Sequence, residues 1–304
     1  MPEICLLGTG GMLPLKNRFL TSLYAEYNGK AILIDCGECT QVALAQHGLK
    51  MSHIETILIT HSHADHITGL PGLLLSIGNC SRTAPLDIYV PASAEKMVKN
   101  LISVCGVLQY EVNINTLPDR SPTAFTAEKI APMLMVSTIP LEHSVNCIGY
   151  RLTLSRKPVF APEKAKQLDI PVKYWKTLHS GTTVTLDDGR TFSPTDVTRE
   201  NRPPITVTYT TDTLPIPAIA DFARNSDLFI CEGMYGDTAK KQAMNEKGHM
   251  LMQDACNLAL QANAKKLWLT HYSPAETEPP LYEQELKEIF PEVTVSNDGE
   301  KITL

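Results

Sequence analysis

The chain has 304 residues, 43% of them hydrophobic, which is enough for a large core in one or two domains. Its formal net charge of −6 does not advertise a nucleic-acid binder, and no apolar run is long enough to cross a membrane. Eight cysteines without a framework spacing and an N-terminus without a signal-peptide pattern lead us to expect reduced thiols in a cytoplasm. Cys36-Gly37-Glu38-Cys39 is formally C-x-x-C, but it falls between a predicted strand and a predicted helix, where core or turn cysteines outweigh a redox pair.

In chain order, Glu3 to Gly8 reads as a first strand that ends in the glycine cluster Gly8-Thr9-Gly10-Gly11. No helical pattern follows, so the cluster is not a dinucleotide fingerprint. Leu20 to Tyr27 and Ala31 to Asp35 pair as strands around Asn28-Gly29, a strong hairpin signal. Thr40 to Gln46 reads as a helix stopped by Gly48. The β-branched, apolar run Thr56 to Thr60 is a buried strand, and Leu70 to Ile77 begins a helix.

Between that strand and that helix lies Thr60-His61-Ser62-His63-Ala64-Asp65-His66, with four metal-capable side chains in six residues. Along an extended segment residues two apart point the same way, so His61, His63 and Asp65 can converge, and a turn after Asp65 brings His66 beside them. Imidazole and carboxylate donors suit zinc, and also manganese or iron. Four donors this close can serve two ions, and a two-metal site suits hydrolysis of phosphate esters.

Further on, Leu86 to Val90, Tyr110 to Ile114, Met133 to Ile139 and Ile148 to Leu154 read as strands, and Ser93 to Val104 as a helix. Ile205 to Tyr209, Leu228 to Cys231 and Lys266 to Thr270 are strands of a second half, with Met250 to Ala262 helical. Between the halves runs a Pro-rich stretch of weak structure, Ser155 to Pro204, whose strand content is confined to Thr182 to Leu186 before Asp187-Asp188-Gly189. A stretch of that length points to a functional insertion. From Arg156 to Arg202 nine Lys or Arg face six Asp or Glu, a modest basic segment on an acidic body.

The histidine motif resembles the metallo-β-lactamase superfamily. The resemblance implies an α/β fold, an αββα sandwich of two mixed β-sheets flanked by helices with an inserted arm. It implies one domain over 1–304, with halves 1–154 and 205–304 and the arm at about 155–204. Each downstream residue that resembles a superfamily ligand follows an apolar or β-branched run: His143 as the third histidine of a first ion, Asp212 as the bridging carboxylate, and His271 as the last histidine. His63 stands where the iron oxidoreductases of the superfamily carry glutamate. Within the superfamily, Leu7 to Arg18, Ile34 to Gln41 and His66 to Leu73 closely resemble ribonuclease Z, the tRNA 3′-processing endonuclease family, in its short form.

That resemblance implies two zinc ions, with manganese possible, held by His61, His63 and His143 and by Asp65, His66 and His271, with Asp212 between them. Asp65 would also act as general base. His249, at the opening of the helix before the His271 strand, would be the catalytic histidine, and Glu232 would orient it. Precursor tRNA would be the substrate, in a homodimer away from any membrane. Arg18, Lys173, Tyr174, Trp175 and Lys176 are candidates for gripping it, Tyr174 and Trp175 being equally readable as the arm's own core. Three departures keep a second reading open, a small-molecule phosphodiesterase or hydrolase on the same fold. The arm tip reads Pro171-Val172-Lys173-Tyr174-Trp175 instead of carrying a Gly-Pro pair, Thr210-Thr211 precedes Asp212, and Met250-Leu251-Met252 follows His249.

Overall fold

The structure is a computed structural model and describes residues 1–199 and 202–304. By compactness the chain divides into a body, Met1–Thr153 with Thr206–Leu304, and a smaller unit, Leu154–Ile205.

The body contains two seven-stranded sheets. The first is built from β1 (Glu3–Gly8), β2 (Ser22–Tyr27), β3 (Lys30–Ile34), β4 (Ile54–Leu58), β5 (Leu86–Pro91) and β6 (Val112–Leu117). β1, β2 and β3 pair antiparallel, the last two through the expected Asn28-Gly29 turn. From β3 to β6 the pairing is parallel, because each crossover carries a helix: Thr40–Gln46, Leu70–Asn79 and Glu95–Ile102. The strand period of two sorts β1 cleanly. Cys5 and Leu7 join the core beneath those helices, while Ile4 and Leu6 on the other face are equally buried. A sheet covered on both faces explains why its strands read as apolar runs.

The second sheet uses β7 (Thr123–Thr126), β8 (Leu134–Leu141), β9 (Cys147–Leu154), β12 (Ile205–Thr210), β13 (Leu228–Glu232), β14 (Leu267–Thr270) and β15 (Val293–Val295). β12 to β15 run parallel, with helices Pro217–Phe222, Met252–Gln261 and Glu283–Ile289 supplying a second core. The sheets meet through Tyr150, whose hydroxyl donates to Ile59 O at 2.7 Å, and through Ile148 N–H to Thr60 O at 3.0 Å. The sheets do not follow the two sequence halves. Residues 123–154 join the second sheet, and the last strand, β16 (Lys301–Thr303), closes the first beside β1.

The smaller unit is better built than its proline content suggests. Short helices Pro162–Gln167 and Trp175–His179 and the hairpin of β10 (Val184–Thr185) and β11 (Thr191–Phe192) enclose a core of their own. Ala165, Ile170, Leu178, Val184, Leu186 and Val197 are its buried members. Among the described residues no helix is long and apolar enough to cross a membrane.

Candidate metal centre

Parallel strands leave their carboxyl ends on one edge, and there the next loop can carry chemistry. β3 leads to Asp35, and β4 leads to His61 and His63. β8 leads to His143, β12 to Asp212, and β14 to His271, while β13 ends on Glu232. The seven predicted ligands all meet at this edge.

They meet in two groups. Ligand atoms of His61, His63, His143 and Asp212 lie within 4.8 Å of one another, as do those of Asp65, His66 and His271. In the first group His63 Nδ1 is 3.0 Å from His61 Nε2 and 3.2 Å from His143 Nε2. In the second, His66 Nε2 and His271 Nε2 are 3.2 Å apart. Asp212 faces both: its Oδ2 is 3.7 Å from His61 Nε2 and 3.6 Å from His143 Nε2. Its Oδ1 is 3.2 Å from His66 Nε2 and 3.1 Å from His271 Nε2.

One local expectation needs correction. The period of two brings His61 and His63 to the same group, but not Asp65. The turn begins earlier, in a single helical turn at Ala64–Ile67, so Asp65 leaves with His66 and joins His271 instead.

The donor chemistry fits cations. Burial holds His61, His63 and His143 below the ordinary histidine pKa, which keeps them neutral with lone pairs to offer. His66 donates its Nδ1–H to Asp35 Oδ2 at 2.8 Å, so in the neutral tautomer its Nε2 lone pair points at an oxygen of Asp212. Lone pair against carboxylate is repulsive unless a proton or a metal stands between. Burial disfavours the Asp212 carboxylate, yet His271, His66 and His61 hold it well below the usual range. Imidazole nitrogen with carboxylate oxygen is a donor set for zinc, manganese or iron.

The residues behind the donors fix their tautomers. Asp35 was not among the sequence candidates, although it closes the apolar run Ala31 to Ile34. Its carboxylate accepts from Thr60 N–H at 2.8 Å and from the Thr60 hydroxyl at 2.9 and 3.0 Å. Thr60 Oγ1 in turn accepts from His61 Nδ1 at 3.0 Å. His143 Nδ1–H donates to Gly248 O at 2.9 Å.

His249 faces the cluster from the side, its ring centroid 4.8 Å from that of His143 and 5.6 Å from that of His271. It does not open a helix as expected. It lies in the turn between helices Lys241–Glu246 and Met252–Gln261, because Asp254 caps the latter at Leu251 N–H and Tyr235 O accepts from Met252 N–H. Its Nδ1–H donates to Glu232 Oε2 at 3.0 Å, and Glu232, fully buried, also accepts from Thr213 N–H. Burial opposes a charge on His249, but Glu232, together with Asp212 and Asp65, pushes its pKa up to about 9. A cavity of about 460 Å³ opens over the cluster. Asp65, Asp212, His249, Met12, Met234 and Tyr235 are in its lining.

The substrate candidates fall elsewhere. Arg18 directs its guanidinium at backbone carbonyls of residues 273, 276 and 277. In the smaller unit, Asp187 engages both Lys173 Nζ at 2.6 Å and Tyr174 OH at 2.9 Å. Trp175 belongs to that unit's core, with its Nε1–H on Ile170 O at 2.9 Å and its ring against Phe160. Lys176 is exposed.

Known proteins align along the whole chain. A Ribonuclease Z of Lachnoclostridium phytofermentans is 42% identical over 304 residues, covering all of this chain and 98% of the relative. One of Clostridium acetobutylicum is 41% identical over 300 residues, covering 98% and 96%. The profile of the family described as "Anti-Pycsar protein Apyc1" matches residues 2–289, so the chain falls within that family too. Among solved structures, human tRNase Z, short form, superposes with a TM-score of 0.67 at 22% identity. That match covers 99% of this chain and 98% of the human one, and it supports the shared metallo-β-lactamase fold. The metallo-β-lactamase fold protein YhfI of Bacillus subtilis does so with 0.69 at 18%, covering 99% and 98%. Matched end to end by proteins of that name at about two residues in five, the chain belongs to the ribonuclease Z family.

Proposed function

We propose that the chain is a metal-dependent phosphodiesterase that removes 3′ trailers from precursor tRNA by endonucleolytic cleavage. The observation that carries this reading is Asp212, which turns one carboxylate oxygen to each of two separate donor groups. Full-length relatives named Ribonuclease Z supply the substrate class.

His61, His63 and His143 would hold one ion and Asp65, His66 and His271 the other, two zinc ions with manganese as an alternative. Bound metal would lower the pKa of water towards about 7 and neutralise charge on the phosphate. The chain's own groups do the rest. Asp65, anchored through Oδ2 to Met12 N–H at 2.6 Å, is placed to take the proton of the attacking water. Water adds to phosphorus, the bond from phosphorus to the 3′-oxygen breaks, and His249 donates a proton to that oxygen. The tRNA then ends in a 3′-hydroxyl and the trailer begins with a 5′-phosphate. Glu232 holds His249 in the donating orientation. We further propose a homodimer in the cytoplasm, which suits eight free cysteines. Lys176, exposed in the smaller unit, would meet RNA phosphates.

A second reading, hydrolysis of a small phosphodiester, draws on the Lys173 and Tyr174 contacts to Asp187, which occupy the arm's expected RNA-facing groups. Single-turnover cleavage of trailer-bearing precursor tRNA, run beside an aryl phosphodiester in zinc or manganese, separates them. A 3′-hydroxyl product at the discriminator base supports the first reading. Aryl turnover with no tRNA cleavage puts the second in its place.

A further inference from the structure

His271 is held differently from four of the five histidines around it. The Nδ1 atoms of His61, His66, His143 and His249 are anchored on Thr60, Asp35, Gly248 O and Glu232. Among the described residues the buried Nδ1 of His271 has no hydrogen-bond partner. Its backbone, at φ 60°, is left-handed, a conformation uncommon for a residue with a side chain. Ring and backbone must therefore be held by what packs around them.

One loop does this. Gly11 lies so close to the imidazole that a Cβ there would stand 2.5 Å from His271 Cε1. Tyr272 N–H donates to Thr9 O at 2.8 Å and Gly11 N–H to Tyr272 O at 3.0 Å. Arg18 then grips the chain beyond: Nη1 donates to Glu276 O at 2.8 Å and Ser273 O at 3.3 Å, and Nη2 to Thr277 O at 3.3 Å. Its guanidinium carbon sits 5.4 Å from the centre of the Tyr272 ring. The same loop reaches Asp65 through Met12 N–H. It thus touches two of the three donors of one group, and none of the polar contacts described for His61, His63 or His143 comes from it.

We propose that the loop Thr9–Arg18 is a clamp for the Asp65–His66–His271 ion site alone, with Arg18 and Gly11 as positioning residues and Arg18 not an RNA contact. The inference rests on the two-ion reading of this site. Arg18→Met removes the three carbonyl contacts. Gly11→Ala drives a methyl group into the imidazole.

The test is zinc titration of the metal-free full-length protein against a chromophoric chelator, with the fold followed by circular dichroism. Expected is one ion bound as in the wild type and a second weakened about tenfold to hundredfold in both variants. In the same variants kcat falls, while tRNA affinity and its salt slope stay unchanged. Arg18→Lys, which keeps one donor group, is expected between wild type and Arg18→Met, and it carries the test if Arg18→Met does not fold. Wild-type uptake of both ions by the Arg18 variants, with a raised KM for tRNA and a shallower salt slope, overturns the clamp and returns Arg18 to the RNA. A wild type that takes up a single ion overturns the two-ion reading, and the clamp with it.

Discussion

Asp35 Oδ2 sits 2.8 Å from His66 Nδ1, and the same carboxylate reaches His61 through the Thr60 hydroxyl. One buried acid therefore stands behind a donor in each group. Asp35→Asn keeps the size but turns an acceptor into a partial donor, which disturbs both tautomers. Both ions should bind about tenfold to hundredfold more weakly, read as zinc affinity in a competition titration. Loss confined to one ion would show that the Thr60 relay carries no weight.

Asp65 belongs to one donor group and also touches the attacking water in the proposed mechanism. Asp65→Ala should abolish cleavage of trailer-bearing precursor tRNA, with far-ultraviolet circular dichroism unchanged. Unchanged turnover would remove Asp65 from the chemistry.

The His249 and Glu232 pair predicts a pH dependence with a definite sign. Although burial lowers it, the His249 pKa is pushed up to about 9 by Glu232, together with Asp212 and Asp65, so the imidazole is protonated at neutral pH and loses its proton as pH rises through that value. Bound cations repel the imidazolium, so in the loaded protein the alkaline limb of kcat lies lower than this. Glu232→Gln removes the largest contribution that raises the pKa, and the limb should move to lower pH. His249→Ala should cost about 10²–10⁴-fold in kcat. A limb that stays in place in Glu232→Gln would detach His249 from the proton step.

Trp175 packs on Phe160 inside the smaller unit's own core. Trp175→Ala should loosen that unit without touching the donor groups. Expected are faster proteolysis within residues 154–205, weaker tRNA binding, and unchanged turnover of an aryl phosphodiester. If tRNA cleavage is also unchanged, that unit does not serve RNA binding.

Chelation offers the simplest check. Prolonged treatment with a strong chelator should abolish phosphodiester hydrolysis, and zinc or manganese should restore it. Activity that survives complete removal of metal, measured by elemental analysis, would contradict the reading of both donor groups.

Much of this molecule could be read before any coordinates. The runs Ala31 to Asp35 and Thr56 to Thr60 read as strands, the second as a buried one, and buried residues of those runs form the strands Lys30–Ile34 and Ile54–Leu58. The hairpin at Asn28-Gly29 and the helix stopped at Gly48 follow from local backbone preferences. The elements left unassigned, such as Thr123–Thr126 and Pro217–Phe222, are short, and their pattern is too weak to rise above turn chemistry.

By itself the sequence determined which side chains offer metal donors, because donor types are a property of side chains and four of them lie within six positions of one another. It also determined family, through end-to-end identity. The resemblance already implied the two donor sets; only the tertiary structure showed how the backbone reaches them. A one-turn helix at Ala64–Ile67, too short to announce itself, takes Asp65 out of the extended run of His61 and His63 and sets it beside His66 and His271. Asp35, 31 positions from His66, became its anchor only when β3 and β4 paired in parallel. Arg18 was turned onto a loop some 255 residues away. Spacing along the chain governs neighbours within a turn or a strand, whereas contacts across such separations are set by sheet register and packing.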